Sequence, residues 1–134
     1  RSLLLGINPG RFGSGTTGIS FTDPVKLDKI CGIENTFTKK TELSADFIYR
    51  MIGKFGGPDE FYRRYFISAV SPLGFTREGK NINYYDDKKL ETAVTPFIVD
   101  SIKKILSSFR IFSFNASISS YRNSIVLICS YFIE

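Results

Sequence analysis

The chain has 134 residues and a formal net charge of +5, with 43% hydrophobic and 15% aromatic residues. This length suffices for one hydrophobic core and is too short for two, so we expect a single domain over residues 1–134. The composition excludes a disordered chain, and no apolar run reaches the 18 residues of a membrane-spanning helix. The basic excess suits a polyanionic partner, although surfaces that bind nothing often carry a similar charge.

The chain offers few ligands for a metal ion or a redox cofactor. It contains two cysteines, Cys31 and Cys129, and no histidine. Two distant thiols form neither a zinc-binding pattern nor a disulfide framework, and a four-cysteine iron–sulfur cluster cannot be built from this chain alone. We therefore expect reduced thiols, no metal, no cofactor and an intracellular location.

A buried strand and a glycine-rich loop are predicted at the start of the chain. Leu3–Ile7 is a continuous apolar run, and Asn8-Pro9-Gly10 ends it. Residues 8–24 contain four glycines and two prolines, so we expect a long loop without regular structure. Long ordered loops are usually functional.

Two helices and a second buried strand are predicted next. Apolar residues at helical spacing from Phe47 to Phe55 indicate a helix, with Ser44 as its N-cap and Gly56-Gly57 as its stop. Pro58 favours the first turn of a second helix that ends near Arg64. The apolar run from Tyr65 to Val70 predicts a second buried strand.

The second half of the chain predicts a polar loop, a long helix and an atypical tail. The loop spans Thr76 to Tyr85, and Asp86 or Asp87 then caps a helix that Pro96 should kink or split. Residues 107–134 differ in composition, and strands are possible at 111–114 and 125–133. Alternating strands and helices predict an α/β fold, a three-layer α/β/α sandwich around a mostly parallel sheet, incomplete at its C-terminal end.

A second interpretation of the glycine-rich loop is a nucleotide site. Residues 13–18 match the string G-x-G-x-x-G, whose glycines must stand directly between a strand and a helix. The predicted strand ends six residues earlier, and residues 19–24 show no helical period. This context disfavours dinucleotide binding, although a nucleotide-binding α/β protein remains an alternative.

The whole loop resembles the first motif of the single-strand-selective monofunctional uracil-DNA glycosylase family, G-M-N-P-G-P-F-G-M-x-Q-T-G-V-P-F. The matching segment here is Gly6-Ile7-Asn8-Pro9-Gly10-Arg11-Phe12-Gly13-Ser14-Gly15-Thr16-Thr17-Gly18-Ile19-Ser20-Phe21. A second block, residues 46–75, resembles the family's helix, its turn and its strand that ends in Cys-Pro-Leu. The resemblance covers residues 3–106, is nearest to a bacterial branch, and implies the uracil-DNA glycosylase fold.

The resemblance implies a base-excision-repair enzyme that flips a damaged pyrimidine out of DNA. Cleavage of an N-glycosidic bond needs a water molecule aimed at an oxocarbenium-like sugar, and Asn8 takes the position that orients it. Phe21 takes the position of the ring that stacks on the base. Gly10 leaves space in the pocket wall, and the backbone N–H of Ile7 or Gly10 can donate to a base carbonyl.

The second strand and its flanking loops complete the implied site. Ala69 stands where the family has a base-reading Asn, and Ser71 or Ser68 could substitute for it in part. Arg11, Arg77 and Lys80 lie on loops where DNA phosphates would run. We expect a monomer that binds single- or double-stranded DNA containing uracil and does not bind a membrane.

A late His-Pro-Ser motif of the family has no counterpart in this chain. Its histidine stabilises the departing uracil anion, and the loss of such a donor typically costs about 10²–10³ in rate. Three hypotheses therefore stay open: a uracil-DNA glycosylase, a non-catalytic DNA-binding relative, and the nucleotide-binding protein described above.

Overall fold

The computed structural model describes residues 2–108 and 127–129 of the chain. In chain order its elements are β1 (Ser2–Gly6), α1 (Ser14–Thr17), α2 (Pro24–Lys29), α3 (Leu43–Lys54), α4 (Pro58–Arg64), β2 (Tyr65–Ala69), β3 (Phe75–Arg77), β4 (Lys80–Ile82), α5 (Lys88–Ser108) and β5 (Leu127–Cys129). This alternation of strands and helices confirms the predicted α/β class.

The main sheet of the described residues has the strand order β2-β1-β5. β1 and β2 run parallel, in register from Ser2 opposite Tyr65 to Gly6 opposite Ala69. β5 pairs antiparallel with the other edge of β1. The two predicted strands thus lie side by side in one sheet. β1 is an inner strand as expected, whereas β2 pairs only with β1 among the described strands.

Both faces of β1 are buried, which explains its continuous apolar sequence. On one face Leu4 packs with Ile48 and Ile52 of α3, Phe61 of α4 and Ile67 of β2. On the other face Leu3 and Leu5 are also buried. Such two-sided burial is what a three-layer arrangement requires. β2 differs, because only its central residue is fully buried.

The α3–α4 pair follows the sequence prediction except at its first residue. The N-cap of α3 is Glu42, two residues before the predicted Ser44. The helix ends at Lys54, and the backbone N–H of Gly57 donates to the carbonyl of Ile52 at 3.0 Å. α4 spans Pro58–Arg64 as predicted.

Helix α5 confirms one prediction and corrects another. Asp87 caps it, because Oδ1 accepts hydrogen bonds from the backbone N–H groups of Lys89 at 2.8 Å and Leu90 at 3.1 Å. The expected split at Pro96 is wrong, since the helix runs through this residue. A proline removes one backbone donor, and a helix of 21 residues keeps the others.

Two segments predicted as loops contain regular structure. Residues 8–24 include α1, and Asp23-Pro24 supplies the N-cap and first turn of α2. Residues 76–85 include the β3–β4 hairpin. Its turn residues Glu78 and Gly79 have φ angles of 51° and 72°, as a two-residue hairpin turn requires.

Of residues 107–134, the structure describes the last two residues of α5 and strand β5, which lies inside the predicted strand 125–133. The strand predicted at residues 111–114 lies outside the described residues. Within residues 2–108 and 127–129, no helix is long and apolar enough to cross a membrane.

A buried carboxylate joins the glycine-rich loop to two helices. Asp23 is fully buried, and it accepts from the backbone N–H of Lys26 at 2.9 Å and from that of Glu42 at 3.1 Å. The Lys26 ammonium lies 2.7 Å from Asp23 and 2.5 Å from Asp46. Burial alone would raise the pKa of Asp23, but these hydrogen bonds hold it below its usual value. The ionised carboxylate therefore fixes the loop to α2 and α3.

Replacement of Asp23 tests the importance of this connection. We expect Asp23→Ala to lower the free energy of unfolding by about 2–4 kcal/mol, because it removes a helix cap and leaves Lys26 buried with one partner fewer. Asp28→Ala is the matched control, since it breaks an exposed ion pair with Lys39 and should cost less than about 1 kcal/mol. Chemical denaturation measures both, and equal losses would contradict the role assigned to Asp23.

Candidate functional site

A cavity of about 400 Å³ lies at the carboxyl ends of β1 and β2. The strand pairing continues into the following loops, because Val70 N–H donates to Gly6 O at 2.8 Å and Ser71 N–H donates to Ile7 O at 3.0 Å. Both loops therefore leave the sheet at one edge, where α/β proteins place their ligands. The lining residues are Gly6, Ile7, Asn8, Pro9, Gly10, Ser14, Gly18, Ser20, Phe21, Glu42, Ser44, Ser68, Ala69, Pro72, Asn81 and Asn83.

Both ends of the Asn8 side-chain amide are held by the last residue of β4 and by the segment that follows it. Asn8 Nδ2 donates to the carbonyl of Ile82, and Asn8 Oδ1 accepts from the backbone N–H of Tyr84, each at 3.3 Å. The acceptor and the donor fix which way the amide points. This orientation leaves Oδ1 one further lone pair.

Phe21 lies across the cavity wall in a constrained conformation. Its φ angle is 53°, which is uncommon for a residue with a side chain. Its ring rests on Gly6, where an added Cβ would come within 2.6 Å of the ring carbon Cζ. The ring also packs against the core cluster. The close approach to β1 thus explains why a glycine ends this strand.

The structure brings together most of the predicted base-binding residues. Ile7, Gly10, Ala69 and Ser68 line the cavity with Asn8 and Phe21. Ser71 does not line it, which corrects the sequence prediction. Its side chain is fully buried, and its hydroxyl donates to the carbonyl of Leu73 at 3.0 Å, so it stabilises its own turn.

The three predicted DNA-contacting residues have different surroundings. The guanidinium of Arg11 lies 4.2 Å from the ring centre of Phe12, and its backbone N–H donates to Asn81 at 3.1 Å. Lys80 is exposed on β4. Arg77 forms an ion pair with Asp87 at 2.5 Å, so its charge is already partly neutralised by the cap of α5.

Sequence reasoning missed Glu42 and Lys40. Glu42 lines the cavity, and burial and the nearby Asp23 raise the pKa of its carboxyl group. The ammonium of Lys40 lies 4.5 Å from the ring centre of Phe12, a contact that the sequence did not predict. Neither residue has a local signal, because both reach the glycine-rich loop only through the fold.

Other kinds of site find little support. Among the described residues, no group of three or more His, Cys, Asp or Glu side chains could hold a metal ion. The helix after Gly13 has four residues and does not directly follow a strand. The G-x-G-x-x-G string therefore lacks the strand–turn–helix geometry of a dinucleotide site.

The chain matches no protein-family model and no curated protein. Among solved structures it is similar to SMUG2 of Pedobacter heparinus, with 51% identity, a TM-score of 0.71 and 80% of this chain covered. The fold is that of a uracil-DNA glycosylase. SMUG2 is a member of the single-strand-selective monofunctional uracil-DNA glycosylase family, so the predicted family resemblance is confirmed. This chain spans 48% of the length of that glycosylase, about half of it.

The loop that carries Asn8 packs directly on the loop that follows β2. A Cβ added to Gly74 would lie 2.5 Å from the backbone oxygen of Pro9. Gly74→Ala must push these two backbones apart, and we expect a loss of about 1–3 kcal/mol in the free energy of unfolding.

Gly53 provides the matched control for this substitution. It lies in α3, and a Cβ added there meets nothing within 4 Å. Gly53→Ala should raise stability by about 0.5–1 kcal/mol, because alanine loses less backbone entropy in a helix. Thermal or chemical denaturation measures both variants. A Gly74→Ala variant as stable as the parent would show that the two loops are not in contact.

Proposed function

We propose that this chain carries the catalytic site of a DNA-repair glycosylase that hydrolyses the N-glycosidic bond of uracil or a related damaged pyrimidine in DNA. The base would flip out of the DNA into the cavity at the carboxyl ends of β1 and β2. The proposed process is base excision repair inside the cell. The observation that supports this most is the convergence of Asn8, Phe21 and Ala69 on one cavity. A fold shared with a similar glycosylase supports it further.

Asn8 is proposed to orient the attacking water. A sugar with oxocarbenium character needs a well-placed nucleophile more than a strong base, so an amide oxygen is sufficient. Tyr84 N–H occupies one lone pair of Oδ1, and the second can accept a hydrogen bond from water. The bond from Nδ2 to Ile82 keeps the oxygen from rotating away.

Phe21 and the loop backbone are proposed to hold the base. The ring of Phe21 stands on the cavity wall, where it can stack on a planar base. The backbone N–H of Ile7 or Gly10 can donate to a base carbonyl. The 134 residues contain no histidine, so we expect a rate about 10²–10³ below that of an enzyme with a donor aimed at the departing base.

Removal of the Asn8 amide tests this mechanism. Asn8→Ala should lower the rate of uracil release by about 10²-fold or more, with little change in DNA affinity, because Asn8 is assigned to water and not to phosphate. It also removes the partners of Ile82 and Tyr84, so a stability loss of about 1–2 kcal/mol should accompany it. Release from a labelled single-stranded oligonucleotide is measured at a temperature where both proteins are folded.

Asn35→Ala is the control for that experiment. Asn35 donates to the carbonyl of Pro24 at 3.1 Å and does not line the cavity. It should leave the rate of uracil release unchanged. Equal rates for the parent and Asn8→Ala would refute the assignment of Asn8.

A specific observation also supports a non-catalytic relative that only binds DNA. Ala69 cannot read a base with its side chain, and the chain has no histidine. Retardation of DNA in a gel without any base release would favour this second candidate over the first.

The basic residues beside the cavity are proposed to contact DNA phosphates. Binding should weaken as salt rises, because each neutralised phosphate releases counterions. Lys80→Ala should weaken binding equally for all sequences and lower the slope of log K against log salt by about 1. Binding isotherms between low and moderate salt measure this slope.

Lys54→Ala is the matched control for Lys80→Ala. Lys54 is the last residue of the twelve-residue helix α3, and the first turn of this helix borders the cavity. Lys54 therefore lies about 18 Å from the cavity end of the helix, measured along its axis. It should leave the slope unchanged. If both variants lowered the slope equally, the phosphates would not run beside the hairpin.

A further inference from the structure

The side chain of Glu42 lines the cavity beside the glycine-rich loop. Glu42 is the N-cap residue of α3, yet its carboxylate makes no capping hydrogen bond. Its backbone N–H donates to Asp23 at 3.1 Å, which fixes where the side chain begins. The carboxylate lies over two glycines of the loop. A Cβ on Gly10 would come 1.6 Å from Oε1, and one on Gly13 would come 1.8 Å from Oε2.

Glu42 is the only ionisable side chain among the described residues that line the cavity. The charged groups that act on it are Asp23 and Lys26, both held by α2. Burial and Asp23 raise the pKa of Glu42, and a hydrogen bond with Ser44 lowers it again in part. Ser44 and Lys26 favour the charged carboxylate, but burial and Asp23 outweigh them, so a ligand that brings an N–H donor would offset this cost.

The chemistry of a pyrimidine determines which atom can be that donor. A uracil joined to the sugar through N1 has one N–H group, at N3. Cytosine has no hydrogen at N3 and presents a lone pair there. An ionised carboxylate only accepts hydrogen bonds, so a carboxylate fixed opposite N3 pairs with uracil and faces a lone pair of cytosine. Cytosine can offer it only the amino group at C4, and that pairing requires the base to shift in the cavity. The side chain at position 69 supplies no competing contact, because it is alanine.

We propose that Glu42 is the specificity-determining residue of this cavity: its carboxylate accepts the N3–H of the flipped uracil and disfavours cytosine. This inference rests on the function proposed above. It assigns the reading of the base to α3, whereas the family resemblance places that residue at position 69 on β2. Glu42 is half-buried, and a site whose acceptor is shielded from water disfavours a base that leaves the acceptor unpaired.

The test compares the binding of three bases by the parent chain and its variants. Single-stranded oligonucleotides carry uracil, N3-methyluracil or cytosine at one position, on a 2′-fluoro sugar that slows cleavage. The proteins are the full chain, Glu42→Gln and the control Glu34→Gln, which makes the same change at an exposed residue outside the cavity. Release of uracil from an ordinary deoxyuridine oligonucleotide is measured in parallel.

We expect the parent chain to prefer uracil over both other bases. Glu42→Gln should lower the preference for uracil over cytosine by about 10-fold or more, because a glutamine amide can also donate to cytosine N3. Glu34→Gln should leave the preferences unchanged. Glu42→Asp keeps the charge and shortens the side chain, so it should retain the order of preference with a smaller ratio. It also serves as the second variant should Glu42→Gln fail to fold.

Two results would overturn this role for Glu42 and leave the proposed function standing. One is a parent chain that prefers uracil together with a Glu42→Gln variant that keeps the same preference. The other is an equal loss for all three bases, which would mean that Glu42 acts on water or on the fold. A parent chain that neither prefers nor releases uracil would instead overturn the proposed function, and this inference with it.

Discussion

The site depends on one buried carboxylate, that of Asp23. It caps α2, pairs with Lys26 and receives the backbone N–H of Glu42, so a single residue holds the loop, α2 and the start of α3 together. Phe21 precedes it by two residues and adopts a left-handed backbone conformation. Such strain persists where the surrounding contacts determine the conformation, and the buried Thr22 and Asp23 supply those contacts.

The second constraint is the parallel pairing of β1 with β2. It brings the ends of both strands to one sheet edge and continues for one residue beyond each strand. Asn8 is then tied to the end of β4 and to the segment after it, through Ile82 and Tyr84. The walls of the cavity are therefore fixed by contacts between segments far apart in sequence, and half of the residues that line it have polar side chains.

The elements that could be predicted are those marked by a pattern within their own stretch of sequence. The apolar run of β1, the start of α4 at Pro58 and the cap of α5 at Asp87 each carry their own signal. The β3–β4 hairpin was missed because its Glu78-Gly79 turn lacks the usual asparagine or aspartate. Glu42 was missed because an exposed loop residue and a cavity residue look alike until α3 is placed against Gly10 and Gly13.

The most direct test of this account is a titration of the isotopically labelled full chain with free uracil, followed by nuclear magnetic resonance. The account predicts that the largest shifts fall on the Asn8 side-chain amide and on the backbone amides of Gly10, Phe21 and Ala69, which all line one cavity. Saturable shifts confined to a separate groove, lined by Lys26, Ile30, Asp46, Tyr49 and Arg50, with none at Asn8, would contradict it.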